Sequence, residues 1–417
     1  MTLNGHALRD DTGEFLGLGV SYFPALRRTK FDRERFRGDL KFLAGHGFNY
    51  VRTFSMVGWY PAWAGREIAP VTFTNKRGET IEAWKDYRQQ LAAMIDIAYG
   101  EFGLRTQLTI FADGQLIPDK SARIAHLDTV LATIKGREHK VILLEVANEA
   151  WQNGFPGEPG IADLREFAKY LADRTDVLIA ISATPEMTNE SLQQMYAGSA
   201  ADVATEHFER DVRTREGGWL PVRDVFRVNL LEGLPPVSHN EPIGPGSSVA
   251  EQRDPTKIIA AAAYAWMSGL PMYCYHPSAG IFGDGRFEEM PGVGDFPTLL
   301  KTLPGDIASW RRTEGEADFS PFVTFTGGQP NKPWTQVPGA KSGALRHLSC
   351  VKGEAFYTLP IAILPGGMQL EARRGMKFDV IHPLTGGVAQ TKALAAGQRV
   401  TLEQGPQVWL IRGQFTD

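Results

Sequence analysis

The chain has 417 residues, 43% of them hydrophobic and 22% charged, with a formal net charge of −4 and a pI near 6.2. That length suggests one large domain and a smaller one, and the mild acidity excludes a surface built for a polyanion such as nucleic acid. No apolar run approaches the roughly 18 residues of a membrane-spanning helix, and Cys274 and Cys350 are too few for a disulfide framework.

The opening residues, M-T-L-N-G-H-A-L-R-D-D, carry no apolar signal core. A cytoplasmic location is expected for the chain as written, and a secreted one if a leader precedes it. Residues 16–23 (L-G-L-G-V-S-Y-F) read as a first strand. Residues 31–46 carry helical periodicity through Phe36, Leu40 and Leu43 and stop at His46-Gly47. A second strand follows at 48–54, then a loop rich in Trp, Pro and Gly, then a helix over 81–102. Strand and helix continue to alternate: strands at 105–111, 140–148, 176–182, 202–207 and 236–241, with helices at 121–136, 161–174, 188–197 and 218–231. Residues 255–268 (P-T-K-I-I-A-A-A-A-Y-A-W-M-S) are apolar almost all round, as in a buried helix. Strand eight is 271–276 and a last helix fits 294–312. Eight strand–helix units in about 300 residues predict a (β/α)₈ barrel, over residues 1–318.

Beyond that point the texture changes. Apolar alternation in E-A-F-Y-T-L-P-I-A-I-L, M-Q-L-E-A, K-F-D-V-I and Q-V-W-L-I is punctuated by P-G-G, T-G-G and A-A-G-Q turns. The connections are too short for parallel crossovers. Residues 319–417 are therefore expected to form a small antiparallel β-sandwich.

Two strings bear on chemistry. V-A-N-E-A-W (146–151) and V-S-H-N-E-P (237–242) each place a glutamate just after a short apolar run. Glu149 and Glu241 thus end strands four and seven, which face each other across an eight-stranded barrel, and catalytic residues of such barrels sit at the C-terminal strand ends. Two carboxylates across a pocket are what glycosidic bond cleavage needs. A glutamate in Glu149's place serves as general acid if its pocket holds the proton; otherwise it is a solvated loop charge. Asn148 can donate to a sugar hydroxyl, and Trp151 offers an apolar ring face.

Around the pair, Arg52 at the end of strand two can hold a nucleophile ionised, or form a structural ion pair. His207 at the end of strand six can position Glu241 or a hydroxyl, or simply be packed. By period 2, Glu206 and His207 face opposite ways. Trp59, Trp63, Trp151 and Tyr275 fall on loops or strand ends at the barrel mouth, where rings stack on sugars. His239 and His276 lie near strand ends, and Asp113 after strand three is a substrate-binding candidate. No H-x-H, H-E-x-x-H or C-x-x-C occurs, so no metal is expected. No G-x-x-x-x-G-K-[ST] or G-x-S-x-G occurs either, and no cofactor is expected.

With these residues in view, the chain resembles the clan A glycoside hydrolases, the (β/α)₈ superfamily of cellulases, mannanases and β-galactosidases. The resemblance covers about residues 14–312. It rests on G-L-G-V-S-Y-F as first strand, the arginine of V-R-T-F, the Asn-Glu pair of V-A-N-E, A-T-E-H-F-E as strand six and S-H-N-E-P on strand seven. It implies Glu149 as acid/base, Glu241 as nucleophile, retention of configuration, and an oligosaccharide or polysaccharide as substrate. One departure is strand eight, M-Y-C-Y-H-P, which lacks the clan's tryptophan, leaving Tyr275 or His276 as the aromatic there. The segment F-D-V-I-H-P-L-T-G-G with Q-V-W-L-I resembles the small β-sandwich appended to several such enzymes. The rival readings are a catalytically inactive carbohydrate-binding barrel and an inverting hydrolase.

Overall fold

A computed structural model of the chain describes residues 1–184, 187–207, 232–242, 244–245, 253–314, 321–325, 347–361, 367–402 and 408–416. Eight parallel strands close into a barrel: Gly17–Ser21, Tyr50–Phe54, Arg105–Phe111, Val141–Ala147, Ile179–Ala183, Val203–Glu206, Val237–His239 and Met272–Tyr275. Both faces of each strand are covered, which is why they read as near-continuous apolar runs. One face meets the helices. The other fills the barrel, where Tyr50, Leu143, Ala180, Val203, Met272 and Cys274 form a separate cluster.

The helices fall close to their expected places, including Tyr87–Phe102, Lys120–Ile134, Gly157–Ala172, Asn189–Tyr196 and Pro255–Ser268. The helix expected at 31–46 is Arg33–Gly45, and a further helix, Ala25–Phe31, precedes it. Asp32 leaves helical geometry between them, and its side chain accepts from the Arg35 backbone N–H. The last helix is also shorter than expected. It spans Phe296–Thr302, and Pro304-Gly305 prevents its continuation into a 3₁₀ turn at Ile307–Ser309 and a strand at Arg311–Glu314. The helix expected at 218–231 lies outside the described residues.

Not foreseen was a small meander of Thr2–Asn4, Ala7–Asp10 and Gly13–Glu14. Its Leu8 is fully buried in the barrel's inner cluster, with Met1, Leu3 and Phe15 packed against it. The segment closes the barrel interior against water.

The C-terminal strands form two antiparallel sheets. The larger runs in the spatial order Arg311–Glu314, His347–Lys352, Ala355–Pro360, Leu410–Phe415, Met376–Ile381, Val388–Leu394. The smaller is Phe322–Phe325, Met368–Glu371, Arg399–Leu402. Phe356, Leu370, Phe378, Trp409 and Ile411 fill a core of their own, as in a sandwich. The opposite face of the larger sheet joins the barrel's apolar cluster through Leu348, Cys350, Leu359 and Leu410. Cys350 Sγ lies 3.3 Å from the Met267 carbonyl, and Tyr357 donates to the Thr302 carbonyl at 3.1 Å.

Candidate active site

Strand ends two, four, six, seven and eight deliver one polar cluster. Arg52 is fully buried, and its guanidinium donors are divided among three partners. Nη1 donates to Glu241 Oε1 at 2.6 Å, Nη2 to Asn148 Oδ1 at 2.6 Å, and Nε to Glu145 Oε2 at 3.0 Å. Burial alone would lower the guanidinium's proton affinity, but Glu145 and Glu241 outweigh it and the net shift is upward. Arg52 is therefore a permanent cation between two carboxylates.

Glu241 is almost fully buried, while the Glu149 side chain keeps 21% of its surface exposed. His207 stands between them, its Nδ1 3.1 Å from Glu149 Oε1 and 3.6 Å from Glu241 Oε2. An oxygen of each glutamate and a ring nitrogen of His207 all lie within 4.8 Å of one another. A trio that compact could surround a cation, yet Arg52 already supplies positive charge there. His276 holds the other flank: Nδ1 pairs with Ser21 Oγ at 2.7 Å and Nε2 lies 3.5 Å from Glu241 Oε2.

Glu149 is the one non-glycine residue among the described residues with positive φ, at 38°. The turn holding it is tied down on both sides. The Asn148 N–H donates to the Phe111 carbonyl at 3.2 Å, and Asn153 Nδ2 to the Asn148 carbonyl at 2.9 Å. A strained φ held by its surroundings is typical of functional positions.

Above the carboxylates opens a cleft of about 310 Å³, whose walls include Asn148, Glu149, Glu241, His276 and Asp113. Phe23 and Phe54 stack at a centroid separation of 3.8 Å and 16°, and the Arg52 guanidinium carbon lies 5.3 and 5.5 Å from their centroids. Tyr60, Trp63 and Phe282 add further apolar surface. Asp113 accepts the backbone N–H groups of Gly58 and Trp59 at 2.8 and 3.0 Å, and burial outweighs those bonds to raise its pKa. It organises the loop after strand two as well as facing the cleft.

Of the residues singled out from sequence, Glu149, Glu241, Asn148, Asp113 and His276 line the cleft, as does Trp63. Arg52 and His207 are buried beneath it, in contact with the carboxylates. Trp59 and Trp151 are half-buried against the apolar core and are not among the cleft's lining residues. Tyr275 is a correction. Its ring packs against Phe48 and Phe296, and its hydroxyl donates to the Pro291 carbonyl at 2.7 Å. It faces the helices because strand alternation turns Cys274 and His276 inward instead. The same alternation puts Ala204 in the helix-facing cluster and Val203 inside the barrel, so Glu206 faces outward and His207 inward. Sequence reasoning passed over Glu145, a lone charge inside an apolar strand, and Phe23 and Phe54 at the ends of strands one and two.

No family model matches the chain, and no curated protein does. Solved structures do. A glycoside hydrolase of family 5 from Bacteroides vulgatus ATCC 8482 matches over 99% of this chain and 92% of its own, at 12% identity and a TM-score of 0.64. A second glycoside hydrolase matches over 99% and 95%, at 11% identity and a TM-score of 0.59. An exo-β-1,4-mannosidase from Opitutaceae bacterium strain TAV5 matches over 74% of this chain and 63% of its own, at 16% identity and a TM-score of 0.52. The chain thus shares the fold of these structures, a closed (β/α)₈ barrel followed by antiparallel sheets.

Proposed function

We propose that the protein is a glycoside hydrolase that cleaves β-linked glycosides with retention of configuration, with Glu241 as nucleophile and Glu149 as acid/base. The observation that carries this reading is the approach of the two glutamates, with one oxygen of each within 4.8 Å of the other at an open cleft. Retaining enzymes hold their carboxyl groups about 5–5.5 Å apart, and inverting ones about 6.5–9.5 Å apart to admit a water.

The surroundings support the division of labour. Arg52 donates to Glu241 and favours its anionic form, ready to attack the anomeric carbon. Glu149 pairs with no arginine or lysine among the described residues and is the more exposed, so it delivers the proton to the leaving oxygen. The leaving group departs as an alcohol, and the sugar remains on Glu241 as an ester. Glu149, now anionic, takes a proton from water as that water attacks the same carbon and frees Glu241. Asn148 presents its amide at the cleft wall, held by Arg52, and Trp63 with the Phe23–Phe54 stack offers apolar faces to the ring. The substrate is an oligosaccharide or polysaccharide. A panel of aryl β-glycosides, mannosides included, would identify the sugar.

The test is azide rescue. Glu149→Ala should keep its first step on nitrophenyl glycosides, accumulate the glycosyl-enzyme, and with azide release a β-glycosyl azide from a β-glycoside. Glu241→Ala should give the α anomer. Swapped anomers would reverse the two roles. Two variants that both hydrolyse natural substrate at wild-type rate would refute the reading.

A further inference from the structure

We propose that Glu145 is a positioning residue for the reaction: it orients Arg52 and balances its charge so that Glu241 stays reactive. The inference rests on the nucleophile assignment above.

Glu145 lies within the strand Val141–Ala147, four residues before Glu149, and is fully buried. Both of its oxygens are used. Oε2 accepts from Arg52 Nε at 3.0 Å and from the Thr109 hydroxyl, and Oε1 accepts from Asn240 Nδ2. Asn240 immediately precedes Glu241, and Asn148, the amide held by Arg52, immediately precedes Glu149. One carboxylate thereby anchors the residue before one glutamate directly and the residue before the other through Arg52. It touches neither the cleft nor the reacting glutamates.

Its charge has a second consequence. With Glu145 in place, Arg52 is shared between two anions and the triad carries one net negative charge. Without it, Arg52 would face Glu241 alone, and the carboxylate would be stabilised as an anion and blunted as a nucleophile. Among the described residues, the other titratable groups around Glu241 are His207, His276 and, across His207, Glu149. On the barrel floor beneath Arg52, burial raises the pKa of the Cys274 thiol to about 12. Tyr50 is raised likewise. Tyr196 lies on the helix side, also raised by burial and next by Glu206. These three are neutral over the working range and, among the described residues, leave Glu145 as the counter-charge beneath Arg52.

Glu145→Gln is the decisive variant. It is nearly isosteric, and Asn240 Oδ1, which has no partner among the described residues, can accept from the new amide after a flip. With an aryl glycoside, kcat should fall on the order of tenfold with KM within about twofold. The acid limb of kcat/KM should move down by about one pH unit, since that limb reports the free enzyme's nucleophile. Glu145→Asp keeps the charge but draws it back. Its acid limb should stay in place while kcat falls. A merely structural Glu145 would lower the melting temperature of both variants and leave both acid limbs unmoved, which overturns the proposal. If Glu145→Gln does not fold, Glu145→Asp decides: wild-type kcat in that variant overturns it. A 2-deoxy-2-fluoro glycoside that labels Glu241 in the wild type separates the two levels. An active wild type labelled there, with an unmoved Glu145→Gln limb, sinks this inference alone. A wild type labelled elsewhere, or inactive on the whole panel, sinks the nucleophile assignment and this inference with it.

Discussion

Replacing Arg52 by methionine would keep much of the side chain's length and remove its charge, leaving Glu145 and Glu241 buried with no cation between them. Removing one partner of a buried pair costs about 3–5 kcal/mol, because the other charge stays behind. Here two charges stay behind, and the Asn148 amide also loses its donor, so the upper end, about 5 kcal/mol, is expected. That is a third or more of the total stability of many domains. The loss should also depend on pH in a definite sense. Carboxylates deprived of their cation bind protons more readily in the folded variant than in its unfolded chain. Stability tied to such groups is present at low pH and lost as pH rises. The gap between wild type and Arg52→Met should thus be widest near pH 7 and narrow toward pH 4. Arg52→Lys, which keeps the charge but loses the three-way fork, should fall between them. Urea unfolding followed by tryptophan fluorescence at several pH values measures all three. A gap under about 1 kcal/mol at pH 7, or one that does not shrink on acidification, would show that the arginine is not the electrostatic keystone of this cluster.

Glu149→Gly should be more stable than Glu149→Ala by about 1 kcal/mol, because glycine alone takes a φ of 38° without strain; equal denaturation midpoints would contradict this. His126 is fully buried with Nε2 2.9 Å from Ser55 Oγ, and burial lowers its pKa to about 4. The unfolded chain takes up this proton near pH 6.5 and the folded one only near 4, so stability should fall as pH drops through that window, by up to about 3 kcal/mol. His126→Gln should flatten that part of the stability–pH curve, and an unchanged slope would point to another group. Trp63→Ala should raise KM on the order of tenfold through lost ring contact in the cleft. Tyr275→Phe, outside the cleft, should cost only about 1 kcal/mol of stability for the bond to Pro291; a KM shift there would place strand eight wrongly.

The barrel and the two glutamates were legible because each strand ends where an apolar run meets a polar residue, and that boundary is where a barrel opens. Long-range pairing was not. Glu145 and Arg52 each sit inside a strand, in V-I-L-L-E-V-A and Y-V-R-T-F. A charge in a continuous apolar run demands a partner, but nothing local says that two such residues 93 positions apart are each other's answer. Strand eight shows a different failure. Period 2 separates Tyr273 and Tyr275 from Cys274 and His276, yet which pair faces inward follows only from the neighbouring strands' register. The last helix stops short of the expected 294–312 because Pro304-Gly305 falls within that span, and proline ends a helix.

The helix at Pro255–Ser268 is buried from Lys257 to Ser268, with the eighth barrel strand on one side and the C-terminal sheet on the other. It has no face for water. Both halves of the molecule therefore share one structural member, and neither can lose it without exposing a greasy rod. Heat or denaturant should melt them in a single cooperative step, and a protease that clips the sheets away would leave a remnant prone to clump rather than a smaller working enzyme.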